Sequence, residues 1–145
     1  MRALIDTCVA IDFLQKRTPF DQAAYKLFSL TAIGCFSGFL TAKSITDIYY
    51  LEHRFTHSDA ASRTQISLLL ELVGILDTSG DDILRALASD TRDFEDAVMI
   101  ESALRGHMDY VITRNTKDYE KAPLPVCTPD DFLHFFETDR DCRKV

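Results

Sequence analysis

The chain of 145 residues has the length of one globular domain, and its 46% hydrophobic and 27% charged residues exclude a disordered protein. The net charge of −7 disfavours nonspecific binding to nucleic acid, which depends on many lysines and arginines. The four cysteines show no C-x-x-C spacing, so we expect neither a zinc knuckle nor a disulfide framework. We also expect no signal peptide and no membrane span, and therefore a cytoplasmic protein.

Short β-like runs alternate with longer segments of helical period. In chain order the predicted elements are strand 2–6, helix 7–16, helix 19–33, strand 36–41, helix 42–55, helix 58–73, strand 74–78, helix 81–89, helix 93–107, strand 109–114, strand 125–128 and helix 129–137. Gly34 is a plausible stop for the second helix, and Asp93 is a candidate cap for the sixth. Helical spacing predicts that Phe132, Leu133 and Phe136 belong to the core or to an interface rather than to a base-stacking platform.

This alternation predicts an α/β fold with three layers, in which helices cover both faces of a mostly parallel central sheet. The sequence contains no linker, low-complexity segment or internal repeat. We therefore expect a single domain over residues 1–137, followed by a C-terminal tail at 138–145.

Polar residues follow several of the predicted strands. Asp6 ends the first strand, Asp47 lies in the helix after the second, and Asp96 lies in the first turn of the helix before the fourth. Asn115 and Asp118 follow the fourth strand. Because the carboxyl ends of parallel strands meet at one edge of a sheet, we expect these side chains to approach one another there.

Converging carboxylates repel one another and need a counter-charge. Oxygen ligands without cysteine or histidine favour Mg²⁺ or Mn²⁺, which keep several waters and leave positions for phosphate oxygens. Such a site suits hydrolysis of a phosphodiester, and the metal would reconcile an acidic protein with a polyanionic substrate.

Four stretches taken together resemble a known family. They read "LIDTCVAIDFL", "SITDIYYL", "DFEDAVMIESALRGHMDYVITRN" and "TKDYE". In this order they resemble the PIN domain family, especially its small bacterial VapC-like members, over nearly the whole chain. The resemblance implies an Mg²⁺- or Mn²⁺-dependent ribonuclease, often the toxin of a toxin–antitoxin pair and usually a homodimer.

The same resemblance implies roles for individual residues. Asp6 matches the first metal-binding acid of the family, and Asp96 matches the acid on the helix before the last core strand. Asp47 stands where the family most often has glutamate. Asn115 stands where aspartate is frequent, which leaves Asp118 as a substitute ligand. Asp6, Asp47 and Asp96 are thus the predicted catalytic residues.

Residues beside these acids are candidates for substrate binding. The candidate substrate contacts are Thr7, Thr113, Arg114 and Asn115, and the bases expected to guide phosphates are Lys43, Arg114 and Lys117. Asp12 lies six positions after Asp6 and is expected at the surface. His53 and His57 have a zinc-like spacing but no third ligand, so they too are predicted to be surface residues.

Two other functional classes are compatible with parts of the pattern. An Mg²⁺-dependent phosphoacceptor or phosphatase domain could use Asp6 as its nucleophile, although "DTC" lacks the D-x-D motif of haloacid-type phosphatases. A PIN-like module that has lost catalysis and only binds a partner is compatible with Asn115 and the shortened Asp47. Metal titration separates these alternatives.

Two helices carry more aromatic surface than one face of a small sheet is expected to bury. The aromatic residues of helices 19–33 and 42–55 are Phe20, Tyr25, Phe28, Tyr49, Tyr50 and Phe55. We expect this surface to contact a second copy of the chain or a hydrophobic antitoxin. The sequence does not specify which RNA is the substrate.

Overall fold

The computed structural model describes the backbone of residues 1–143 and the side chains of residues 1–138. The strands in this part are β1 (Arg2–Ile5), β2 (Ser37–Thr41), β3 (Gly74–Leu76), β4 (Tyr110–Ile112) and β5 (Val126–Cys127). The helices are α1 (Thr7–Leu14), α2 (Asp21–Ala32), α3 (Ala42–Thr56), α4 (Asp59–Leu70), α5 (Gly80–Ala88), α6 (Phe94–Arg105) and α7 (Pro129–Arg143), and a 3₁₀ turn covers Thr116–Tyr119.

The five strands form one parallel sheet in the order β3-β2-β1-β4-β5. Leu4 in the central strand β1 aligns with Phe39 on one side and with Val111 on the other. All five strands point the same way, so their carboxyl ends share one edge of the sheet. The predicted α/β class and parallel sheet are confirmed.

Alternate residues of β1 enter different apolar clusters. Ala3 and Ile5 pack with residues of α1, α2, α3 and α7, whereas Leu4 packs with α6 and the 3₁₀ turn. Since successive side chains of a strand point to opposite faces, helices cover both faces of the sheet. The fold is therefore the predicted three-layer arrangement, and α5 adds to it by packing on α6.

Local sequence signals account for several helix boundaries. Asp6, Thr41, Ser58, Ser79 and Asp93 each accept a hydrogen bond from the first turn of the helix that follows them. The predicted cap at Asp93 is thus present.

The ends of α2 and α7 also bear on the predictions. Gly34 has a φ of 73° just after α2, which is the left-handed conformation that favours glycine at a helix end. Phe132 and Leu133 are buried, and Phe136 packs against Phe132, as predicted. The last helix continues past its predicted end at 137 to Arg143, since no glycine or proline interrupts it, and residues 144–145 of the predicted tail lie outside the described part.

None of the described helices is long and apolar enough to cross a membrane.

Candidate active site

Asp6 is held at the carboxyl edge of the sheet, between β1 and α1. Its backbone N–H donates to the carbonyl oxygen of Ile112 at 2.9 Å, which ties the end of β1 to β4. The Oδ1 atom accepts from the backbone N–H of Thr7 at 2.7 Å, and Oδ2 accepts from the hydroxyl of Thr113 at 2.7 Å. The carboxylate therefore has one orientation, fixed by both neighbouring segments.

Asp96 approaches the same place from α6. Asp93 caps this helix by accepting from the backbone N–H of Asp96 at 3.0 Å. This contact does not use the Asp96 carboxylate, which is therefore available to other partners. One such partner is Tyr119, whose hydroxyl donates to Oδ1 of Asp96 at 2.9 Å. Tyr119 is only 2% exposed, which makes it a rigid support for the carboxylate.

The electrostatics around Asp96 indicate uncompensated negative charge. Burial first, and then the charges of Asp93, Asp6 and Asp118, together raise the pKa of Asp96 to about 6 against the opposing hydrogen bond from Tyr119. Burial and the neighbouring acids also raise the pKa of Tyr119, which stays a neutral donor. A site of this kind favours either a proton or a cation.

Asp47 occupies the outer wall of the site on α3. Its Oδ2 lies 2.7 Å from Nζ of Lys43, and the same Nζ lies 3.3 Å from Oε1 of Glu95. Burial lowers the pKa of Lys43, but the contacts with Asp47 and Glu95 outweigh burial and leave the pKa above its ordinary value. Lys43 is thus a cation that bridges two carboxylates from different helices.

These side chains line one cavity of about 290 Å³. The lining residues are Asp6, Thr7, Lys43, Ser44, Asp47, Tyr50, Leu51, Glu95, Asp96 and Met99. The three predicted catalytic acids and Thr7 are therefore brought together. Thr113 is fully buried and reaches this site through its hydrogen bond to Asp6.

Asn115 and Asp118 do not line this cavity. Both are exposed, and Asp118 lines a separate depression of about 440 Å³ together with Lys117. The charge of Asp118 still contributes to the raised pKa of Asp96. Asn115 donates its backbone N–H to the hydroxyl oxygen of Thr113 at 3.1 Å.

The donor set is consistent with a hard divalent cation. Oxygens of Asp6, Asp47, Glu95 and Asp96 line the cavity, and neither histidine nor cysteine lies among its described lining residues. Cys8 touches Oδ2 of Asp6 at 3.5 Å, but burial and the Asp6 charge raise the pKa of its thiol to about 11, so it is a neutral donor there. Among the side chains of residues 1–138, no three acids are arranged as a ready-made metal site.

Asp12 corrects an expectation from the sequence. This residue was predicted at the surface but is only 1% exposed, and its Oδ2 lies 2.6 Å from Nε of Arg114. Burial raises the pKa of Asp12 although Arg114 opposes this effect. The Arg114 guanidinium also lies over the ring of Phe20, 4.1 Å from its centroid. The predicted substrate contact Arg114 thus anchors the segment after β4 to α1, while His53 and His57 are exposed as expected.

Sequence reasoning missed Tyr119 and Glu95. Tyr119 ends the 3₁₀ turn after β4, and its only sequence signal is an aromatic residue four positions after Asn115 in an otherwise polar stretch. Glu95 precedes Asp96 in the first turn of α6, where an acid is ordinary for a helix N-terminus. Neither pattern distinguishes a site residue from a structural one.

Comparison with known proteins identifies the family. The model of the PIN domain matches residues 2–117, which is most of the chain. The chain belongs to the PIN domain family. This finding confirms the resemblance inferred from the sequence, and Asp6, Asp47 and Asp96 all lie within the matched residues. No curated protein matches the chain.

Solved structures of VapC-type proteins share the fold. VapBC2 of Rickettsia felis bound to a promoter DNA fragment aligns with a TM-score of 0.67 and 14% identity, covering 87% of this chain and 97% of that one. A toxin–antitoxin complex of Klebsiella pneumoniae aligns with a TM-score of 0.65 and 23% identity, covering 88% and 97%. VapC20 of Mycobacterium tuberculosis, a toxin that cleaves the sarcin–ricin loop, aligns with a TM-score of 0.59 and 14% identity, covering 75% and 86%. At these identities the likeness concerns the fold.

Proposed function

We propose that the protein is a divalent-metal-dependent endoribonuclease and the toxin of a toxin–antitoxin pair. The observation that carries this proposal is the convergence of Asp6 and Asp96, from segments 90 positions apart in a PIN domain, on one acidic cavity at the carboxyl edge of the sheet. An acidic cavity repels an RNA phosphate unless a cation enters with it.

Asp6 and Asp96 are the residues that would hold Mg²⁺ or Mn²⁺, with Asp47 as a third ligand once it leaves Lys43. Oδ1 of Asp6 accepts one hydrogen bond and keeps a lone pair, and Oδ2 of Asp96 accepts no hydrogen bond from the described residues. A bound cation would supply Lewis acidity for attack of water on a phosphodiester. Thr113 and Tyr119 would keep the two carboxylates aimed at it.

The predicted substrate contacts differ in their surroundings. Thr7 lines the cavity and Asn115 is exposed in the segment after β4, so both remain proposed RNA contacts. Thr113 and Arg114 are engaged with Asp6 and Asp12, respectively, and we assign them to support of the site. Asp118 is the proposed supplementary acid.

Exposed aromatic residues on α2 and α3 support the proposal that the protein binds a protein partner. Tyr25, Tyr50 and Phe55 are each at least 60% exposed, and Phe20 is partly covered by Arg114, whereas Phe28 is buried in the core. We propose that this surface contacts a second copy of the chain or an antitoxin, as expected of a cytoplasmic toxin. Light scattering that shows a strict monomer at high concentration, together with failure of a co-expressed neighbouring small protein to co-purify, would contradict this assignment.

RNA cleavage by the purified protein tests the proposed activity. Cleavage of single-stranded RNA should require Mg²⁺ or Mn²⁺, stop with EDTA, and fall by about 100-fold or more in Asp6→Asn and Asp96→Asn. Asp81→Asn is the matched control, because Asp81 is an exposed acid in an i,i+4 pair with Arg85 outside the cavity. Cleavage that persists in EDTA, or undiminished cleavage in Asp96→Asn, would contradict the proposal.

A PIN-like binding module without catalysis is the second candidate. The engagement of Asp47 by Lys43, and the lack of a preformed three-acid site within the described residues, favour it. Metal-dependent RNA binding without any cleavage would support this candidate over the first.

A further inference from the structure

Lys43 is the one basic residue among the described side chains that line the acidic cavity. It lies in the first turn of α3, where the Thr41 hydroxyl caps the helix, and its backbone N–H donates to Oγ1 of Thr78 at 3.4 Å. Its ammonium bridges Asp47 on α3 and Glu95 on α6. The fold thus holds one cation against the two outer acids of the site.

The charges predict competition between this ammonium and a metal. Four carboxylates line the cavity and Lys43 supplies a single opposing charge. A divalent cation is attracted by the four acids but repelled by Lys43, and it needs the Asp47 oxygen that Lys43 contacts. Lys43 therefore lowers the affinity of the cavity for a metal alone.

The same charges predict the opposite effect on RNA. A phosphate that enters this cavity meets carboxylates on the walls, and Lys43 is the basic group that it reaches there. Lysine suits this task because its ammonium sits on a flexible four-carbon stem and binds phosphate as a point charge. The side chain is 36% exposed, so it has room to leave Asp47.

We propose that Lys43 is an exchangeable counter-ion, which pairs with Asp47 and Glu95 until RNA enters and then transfers to a phosphate of the RNA. The proposal rests on the ribonuclease function proposed above. Its consequence is a coupling between ligands: phosphate that draws Lys43 away frees Asp47 for the metal, and RNA and metal then favour each other's binding.

Lys43→Gln separates the two effects because they have opposite signs. Calorimetric titration with Mn²⁺ in the absence of RNA should show about 3- to 10-fold tighter binding in this variant, because a nearby positive charge has been removed. The KM for a single-stranded oligoribonucleotide at saturating Mn²⁺ should rise by about 10-fold. Arg85→Gln is the matched control, since it removes one charge from an exposed i,i+4 pair outside the cavity, and it should change neither quantity by more than about twofold.

Lys43→Arg supplies the second variant, because it retains the charge and should keep the Mn²⁺ affinity within about twofold of the wild type. Glutamine is well tolerated in an exposed first turn, and thermal melting checks that both variants fold. Mn²⁺ affinity that is unchanged or weaker in Lys43→Gln, or an unchanged KM, would overturn the role of Lys43. Absence of Mn²⁺ binding or of cleavage in the wild type would instead reject the ribonuclease proposal; if only cleavage is absent, fluorescence anisotropy with the same oligoribonucleotide replaces the KM measurement.

Discussion

The ion pair between Asp12 and Arg114 should be a major contribution to stability. Asp12 is fully buried, and Arg114→Met would remove the ion-pair partner of its carboxylate while keeping an apolar stem against Phe20; the more distant charge of Arg17 would remain. Removing one partner of a buried pair costs about 3–5 kcal/mol. Because the Arg114 side chain is 26% exposed, water screens part of this interaction, and we expect a loss of about 2–4 kcal/mol in the free energy of unfolding.

That loss corresponds to a decrease of about 6–12 °C in the melting temperature for a domain of this size. Asp12→Asn should cost less, about 1–2 kcal/mol, because the amide oxygen still accepts from the guanidinium. The double variant should be less destabilised than the sum of the two single variants by about 1–2 kcal/mol. Urea denaturation followed by circular dichroism measures all three values.

The pH dependence provides an independent check on the same pair. Burial raises the pKa of Asp12 in the folded protein, so folding takes up a proton and stability from this group falls as pH rises from about 4 through the raised pKa. Arg114→Met should raise that pKa further, because the opposing charge is gone. The loss in free energy of unfolding of Arg114→Met, relative to the wild type, should therefore be smaller near pH 5 than at pH 7.5. Additive single-variant effects and a deficit independent of pH would refute this reasoning.

Three further predictions concern the site itself. Tyr119→Phe removes a hydrogen bond that lowers the pKa of Asp96, so the pKa of the Asp96 carboxyl in this variant should lie above about 6. NMR titration of the protein in EDTA measures this pKa, and an unchanged value would exclude the contact in solution. Mg²⁺ or Mn²⁺ should raise the melting temperature of the wild type, and equal shifts in Asp6→Asn would count against Asp6 as a ligand. Asp118→Asn should reduce cleavage less than Asp6→Asn does, and Asn115→Asp should increase metal affinity if the side chain at 115 faces the bound metal; unchanged affinity in Asn115→Asp, together with loss of metal binding in Asp118→Asn, would place the fourth ligand position at 118.

The fold was predictable because its signals are local. The run "RALID" is apolar enough for a strand buried on both faces, and helical periods separate it from the other strands. Parallel strands connected by right-handed crossovers then place Asp6 and the start of α3 at one edge. The approach of Asp96 follows from the same topology, although its distance from Asp6 along the chain gives no hint of it.

The supports of the site were not predictable because they depend on side-chain partners from distant segments. The local sequence around Asp12 is typical of a surface acid. Its burial depends on the ion pair with Arg114, which lies 102 positions later in the chain. The sequence around Tyr119 gives no sign of a site residue, and only the structure shows that its hydroxyl donates to Asp96. Local periodicity assigns a face to each residue but does not identify the partner that it meets there.

One short segment couples these supports to both acids. Thr113 donates to Asp6 at the start of the segment, Tyr119 donates to Asp96 at its end, and Arg114 binds the segment to α1 through Asp12. A shift of this segment would therefore move both hydrogen-bond donors at once. Asn115 adds to this arrangement through its backbone N–H, which donates to Thr113 and which any residue except proline would supply at this position. The proposed metal site then relies on Asp6 and Asp96. Lys43 offsets the charge of the two outer acids, Asp47 and Glu95.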